Sequence, residues 1–368
     1  MTSDSFVTPN DFEDHQKKKM IGPNGWLLFV ACNSGIDLAQ SVLKEYNKFL
    51  VQRGCVQDIP ILGTKENPIT QIFPDTETCP RLNMPVAGSD AYVFQNVHEN
   101  ISGNTVNENI QQLLQVLRTL KSHRVKNMTV VVPYCPYARQ DKPTFLKRES
   151  SHAKFFADQI RISGANIILT YHPHTYALHG FYEPGINLIA LSGLDLFIEI
   201  SKNKEIDKNN VVAVSTDVGG GQYVVNFAKA IGISYAIANK YRTHKGVGHT
   251  GIIGALRKKT TAIIIDDETV TGSSVMSTID LLNKKYSIKY IYVLISHMKL
   301  RSEFMDLFIN AHKEYGLKEL HTTDSVPQNP SILKHDFVIV HSLATKFART
   351  INRLHYNQSV SELFYSPA

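Results

Sequence analysis

The chain is poor in cysteine and in long apolar runs, and each scarcity argues something away. Four cysteines in 368 residues (Cys32, Cys55, Cys79, Cys135) stand far apart, and no two form a CxxC pair. That spacing argues against a disulfide framework and for reduced thiols in a cytoplasmic chain. No apolar stretch reaches 18 residues, so the sequence offers no candidate membrane span. The first 24 residues are polar, lack the apolar centre of a signal peptide, and read as a flexible tail. Like-charged blocks are missing beyond Lys17-Lys18-Lys19, and 39 Lys and Arg against 33 Asp and Glu leave a net charge of +6. This balance gives no ground for nucleic-acid binding and suits a phosphorylated small molecule. The absence of G-x-x-x-x-G-K-[ST] argues against a P-loop kinase. GVGHTG (246–251) fits G-x-G-x-x-G, but a basic stretch separates it from the preceding strand, so it is not read as a dinucleotide fingerprint.

What is present is a repeated alternation of short apolar runs and amphipathic stretches. WLLFVAC (26–32) reads as a strand and IDLAQSVLKEYNKFL (36–50) as a helix burying Ile36, Leu38, Val42, Leu43 and Tyr46. NENIQQLLQVLRTLKSH (107–123) is a second helix, feeding the buried strand MTVVVPY (128–134). The pattern returns at 150–172, and again from VVAVST (211–216) through YIYVLISH (290–297). Strand, helix, strand at this spacing predicts an α/β fold, with two domains that are each a mainly parallel sheet flanked by helices. The expected boundaries are a tail at 1–24, domains at 25–190 and 191–345, and a C-terminal helix within 346–368 packing back on the first domain.

One stretch carries chemistry by itself: TTAIIIDDETVTGSSVM (260–276). A strand ends at Asp266 and Asp267, and a helix begins at Val275. In an open α/β sheet ligands lie beyond the carboxyl ends of the strands. Thr271, Gly272, Ser273 and Ser274 then make a phosphate cradle at a helix N-terminus. The two carboxylates would accept hydrogen bonds from vicinal sugar hydroxyls or hold a metal, and phosphate plus diol is a ribose 5-phosphate. The plainer alternative is a capped helix following a strand.

This stretch resembles the ribose-phosphate site of type I phosphoribosyltransferase folds. An ordered series of motifs narrows the resemblance to ribose-phosphate pyrophosphokinases, which make PRPP: CNSGIDLA (32–39), GNTVNENIQQLL (103–114), VVVPYCPYARQDKP (130–143), GANIILTYHPHTYALHGFY (164–182), VSTDVGGGQ (214–222), ANKYRTHKG (238–246) and RLHYNQSVSELF (353–364). The resemblance implies two type I phosphoribosyltransferase-like domains with the site between them. It implies a transferase that moves the β,γ-diphosphate of ATP to the 1-hydroxyl of a ribose phosphate, releasing AMP. Such chemistry relies on positioning and charge neutralisation. By this resemblance Lys240 and Arg242 are the catalytic cations, and His174 and Asp217 hold Mg²⁺. Arg139, Gln140 and Asp141, with Asp90 and Tyr92 of the adenine loop, contact ATP. Asp217, Gly219 and Gly220 form the diphosphate loop. A homo-oligomer (dimer or hexamer) is implied too, its adenine loop donated by a neighbouring subunit. Read from the residues alone, the Lys240–Lys245 segment is also a solvated basic loop, Gly219–Gly221 a plain turn, and His172, His174 and His179 a partial zinc set.

The sequence departs from the family around both substrates. The adenine loop, Phe-Ser-Asp-Gly-Glu, is placed at Gly88-Ser89-Asp90-Ala91-Tyr92, without its Phe and Glu. The Asp before Thr-Gly in the ribose-phosphate loop is Val270. Two alternatives follow. One is the same chemistry on ADP-ribose, for NAD salvage; the other is an inactive regulatory relative of the synthetases.

Overall fold

The computed structural model describes residues 7–10, 13–14, 19–98, 101, 103–204, 207–243 and 246–361, with backbone alone for 240–243 and 246–250. Among these residues the chain forms two seven-stranded sheets and a small hairpin. The first sheet contains β1 (Ile21–Gly22), β2 (Gly25–Ala31) and β3 (Ile61–Leu62). After the hairpin β4 (Thr70–Ile72) and β5 (Thr78–Pro80) it continues with β6 (Ser89–Phe94), β7 (Asn127–Val131), β8 (Ile167–Tyr171) and β9 (Asn187–Leu191). Its order is β1-β2-β6-β7-β8-β9, with β3 also on β2, and every pairing except β1–β2 is parallel. The helices of this half are α1 (Ile36–Val51), α2 (Val106–Ser122), α3 (His152–Ser163) and the short α4 (His179–Tyr182). Local chemistry fixes the start of α2: Thr105 Oγ1 accepts the Glu108 amide at 3.2 Å, and Glu108 Oε2 accepts the Thr105 amide at 2.6 Å.

The second sheet runs β12-β11-β10-β13-β14-β15-β16, from β10 (Val211–Ser215), β11 (Ser234–Thr243), β12 (Gly246–Gly254), β13 (Thr261–Thr269), β14 (Tyr290–Met298), β15 (Leu317–Thr323) and β16 (Val338–His341). Only β11–β12 is antiparallel. Around it lie α5 (Leu194–Lys202), α6 (Gly221–Ile231), α7 (Ser273–Tyr286), α8 (Met305–Glu314) and α9 (Pro330–Leu333). Leu194, Phe197 and Ile200 already pack with Val211 and Phe227, so the core changes over between Leu191 and Leu194. GVGHTG lies within β12, which leaves no strand-to-helix turn for a dinucleotide there.

The last helix, α10 (Ala344–His355), returns to the first sheet. Phe347 and Ile351 share a core with Phe29, Tyr46 and Tyr92. The fold also takes in the chain from Met20, inside the stretch expected to be a tail. Met20 is buried and its carbonyl accepts the Leu27 amide at 2.8 Å, while Ile21–Gly22 pair with β2. One methionine and a two-residue strand carry no periodicity to read.

Strand β6 corrects a functional expectation. Asp90 and Tyr92 are 0% and 1% exposed within it, so neither can touch ATP. Asp90 instead binds His355 Nδ1 at 2.8 Å and accepts from Asn127 at 2.7 Å. A second stretch matches the spacing of the motif. Phe73-Pro74-Asp75-Thr76-Glu77 carries Phe, Asp and Glu at the first, third and fifth places of the motif, and it forms the tip of the exposed β4–β5 hairpin. The Phe73 amide donates to the Glu77 carbonyl at 2.8 Å and the Glu77 amide to Asp75 Oδ1 at 3.1 Å, which leaves the Phe73 ring 39% exposed.

Candidate active site

Four parallel strands deliver the candidate residues to one cleft between the sheets. Beyond β7 lie Arg139, Gln140 and Asp141; beyond β8, His172 and His174. Beyond β10 lie Thr216, Asp217 and the glycines, and β13 carries the acid run. β13 continues through the acids to Thr269 instead of stopping at Asp266, and α7 opens at Ser273, two residues before the expected start. With a side-chain period of two, Asp266 and Glu268 share one face of the strand and Asp267 takes the other.

His174 crosses from the first domain to meet Asp267, Nδ1 to Oδ2 at 2.5 Å. Thr216 Oγ1 donates to Asp266 Oδ2 at 2.6 Å, and the Asp267 amide donates to Asp266 Oδ1 at 3.0 Å. The adjacent acids divide their roles. Burial, and then the charge of Asp267, push Asp266 well above the carboxylate range. Burial also raises Asp267, but the hydrogen bond and charge of His174 outweigh it and hold Asp267 below that range. Burial therefore disfavours the charged form of Asp266, while His174 favours the anion of Asp267.

The same pair predicts a pH signature. The hydrogen bond that His174 donates to Asp267 raises the histidine above its ordinary 6.5, against a smaller opposing effect of burial. A raised histidine contributes stability that is full below 6.5 and lost as pH climbs through its folded value. A depressed aspartate contributes above its ordinary 3.8 and loses that contribution as pH falls through its folded value. The melting-temperature difference between wild type and His174→Gln should therefore be largest between about pH 4 and 6.5 and shrink above it. A difference that grows steadily toward pH 9 would contradict the pairing.

His172 is held for a different purpose. It is buried with φ at +39°, an uncommon conformation for a residue with a Cβ. Its ring stacks on Tyr223 at 4.3 Å, Nδ1 bonds Ser296 of β14, and its carbonyl meets His297 Nε2 at 3.0 Å. Burial takes its pKa down to about 3. It is a neutral tie between the domains, not one of a zinc triad.

The candidate phosphate loop is shaped by Gly272, at φ +74°, whose amide donates to Thr269 Oγ1 at 3.1 Å. Thr271 Oγ1 donates to Ser273 Oγ at 3.0 Å, and no side chain caps the helix start. A Cβ on Gly272 would meet the Phe308 ring at 2.5 Å. Gly272→Ala is thus expected to lose roughly 1–3 kcal/mol of stability and to weaken binding of a sugar phosphate. Thermal melts with and without ribose 5-phosphate would test this, and an unchanged melt would contradict the fit. In the second loop, Asp217 Oδ1 accepts the Gly220 amide at 3.0 Å, and a Cβ on Gly220 would lie 2.9 Å from Ser215 Oγ.

Arg139 and Gln140 are exposed, and Gln140 anchors α3 by accepting Ser151 Oγ at 3.2 Å. Lys240 and Arg242 lie two apart on β11, opposite His249 and Val247 of β12, with a bulge just before Lys240. Their backbone is a strand, where the residues alone also allowed a solvated loop; their side chains lie outside the described ones. Among the described residues no group of three or more His, Cys, Asp or Glu could hold an ion. His174, oriented through Nδ1 by a carboxylate, has the arrangement of a metal-binding histidine. Sequence reasoning passed over Glu268 and Lys299, buried at 8% and 5% beside this cleft. A third acid after Asp266-Asp267 was the available signal.

Two tandem α/β units, with their strand ends facing across an acid pair and a phosphate loop, define a duplicated type I phosphoribosyltransferase fold. Residues 27–164 match the N-terminal domain of ribose phosphate pyrophosphokinase. A ribose-phosphate pyrophosphokinase of Fusobacterium nucleatum is 32% identical over 295 residues, 80% of this chain and 89% of the relative. One from Thermosipho africanus is 30% identical over 293 residues, 79% and 87% of the two chains. The crystal structure of phosphoribosylpyrophosphate synthetase from Mycobacterium smegmatis superposes with a TM-score of 0.75 at 24% identity, over 90% of this chain and 99% of that one. The chain belongs to the ribose-phosphate pyrophosphokinase family. No helix among the described residues is long and apolar enough to cross a membrane.

Proposed function

We propose that the protein is a Mg²⁺-dependent diphosphotransferase that moves the β,γ-diphosphate of ATP to the 1-hydroxyl of ribose 5-phosphate and releases AMP. The contact of His174 with Asp267, four residues ahead of the Thr271–Ser274 loop, carries this reading. The loop takes the 5-phosphate, and the acid pair receives the ribose hydroxyls. Arg139 meets the polyphosphate, and the exposed Phe73 ring stacks on adenine, in this cleft or in that of a neighbouring copy. Mg²⁺, bound through His174 and Asp217, would neutralise phosphate charge. Lys240 and Arg242, sharing a strand face, steady the bridging oxygens as the bond to AMP breaks.

A second reading takes ADP-ribose as the acceptor. One observation favours it: Val270, in the place of the family's Asp, is 36% exposed beside the phosphate loop and offers no carboxylate against a bulkier ester. The test is AMP release from Mg-ATP with each sugar in turn. Release with ribose 5-phosphate supports the first reading and release with ADP-ribose alone supports the second. No release with either, from folded protein, leaves the regulatory relative. Lys240→Ala is expected to reduce turnover by on the order of 100- to 1,000-fold without shifting the melt.

A further inference from the structure

Glu268 and Lys299 form an ion pair inside the protein, at 2.8 Å, with side chains 4% and 5% exposed. Burying two charges is costly, and apolar side chains of similar volume often serve a core better. The pair lies where the domains meet, and both groups reach across. Lys299 Nζ also donates to Tyr134 Oη at 2.8 Å and lies 4.2 Å from the centre of that ring, on the far side of the cleft. Glu268 Oε1 lies 3.0 Å from Arg139 Nε, an ionic contact and not an aligned hydrogen bond. Arg139 itself stays half exposed. A carboxylate engaging Nε leaves the two terminal amines of a guanidinium, the fork that grips phosphate in pairs.

We propose that Glu268 is a positioning residue for ATP: with Lys299 as its counter-ion, it reaches from the second sheet and sets the Arg139 fork toward the polyphosphate. This rests on the reading of the cleft as an ATP site, and it adds an element from the opposite domain that organises the ATP arginine. The imperfect alignment at Oε1 lets the guanidinium adjust as ATP arrives without breaking the Glu268–Lys299 pair.

The test is a double-mutant cycle on the full chain. Mg-ATP affinity is measured by calorimetric titration for wild type, E268Q, R139A and E268Q/R139A, with thermal melts in parallel. E268Q is expected to weaken Mg-ATP roughly tenfold, with the loss seen more in KM for ATP than in kcat. R139A should weaken it at least as much, and the double variant no further than R139A alone. If E268Q lowers the melting temperature but keeps ATP affinity, or if the two losses add, Glu268 is a structural tie and the proposal is overturned. Should E268Q fail to fold, E268M/K299M removes both buried charges together and carries the same comparison. A wild type that binds no Mg-ATP overturns the proposed function along with this inference; additive losses in a wild type that binds it overturn this inference alone.

Discussion

Asp267→Asn is expected to slow AMP formation from Mg-ATP and ribose 5-phosphate by on the order of 100- to 1,000-fold while the protein stays folded. Asp267 is the anion of the acid pair, and it has two tasks. It holds His174 at 2.5 Å, fixing a ring from the opposite domain, and under the proposed function it receives a ribose hydroxyl. An amide keeps the shape but removes the charge, and it can present a donor to Nδ1 where an acceptor is needed. Asp266→Asn makes an informative contrast. Burial already disfavours its charge, and an amide oxygen still accepts from Thr216, so a loss of about tenfold or less is expected. Single-turnover rates for both variants, with melting curves alongside, would decide. Equal losses at the two positions would mean that the division of roles is wrong.

The largest stability effect is expected far from the cleft. Asp90→Ala should destabilise the first domain by roughly 3–5 kcal/mol, because it leaves His355 buried without its partner. Asp90 and His355 are both fully buried, and Asp90 also receives Asn127 and the Tyr92 hydroxyl. His355 Nε2 reaches the Met20 carbonyl at 3.2 Å, so one imidazole joins β6, the last helix and the entering chain. Asp90→Asn, which keeps an acceptor, should lose less. Hydrogen exchange in β2 and β6 measures this locally, where a global melt of two domains would blur it. An Asp90→Ala protein with wild-type exchange in those strands would contradict the role.

Much of the scaffold was legible because apolar period and length agree locally. WLLFVAC, the helix from Ile36 and the helix ending near Ser122 all fall within a residue or two of the observed elements. The acid run and the phosphate loop were legible because they are contiguous. Asp90 was misread because its partner is 265 residues away, and nothing local marks a carboxylate as internal. The hairpin at Phe73–Glu77 offers Phe, Asp and Glu at the motif's spacing, but Gly88-Ser89-Asp90 further on competes for the register and nothing local chooses between them. Nothing local marks Glu268 as a partner, since Arg139 and Lys299 come from two other strand ends.

The return of α10 to the first sheet bears on how the protein is made. Phe29, Tyr46 and Tyr92 are covered by Phe347 and Ile351, which leave the ribosome some 250 residues or more after Tyr92 does. Domains otherwise tend to fold in order of synthesis. Here part of one apolar face of the first sheet, beside α1, stays open until α10 has emerged. The second domain, contiguous in sequence, is free to finish first. A chain stopped after residue 341 would lack the cover for that face, and would be a substrate for chaperones and proteases before it could be one half of an enzyme.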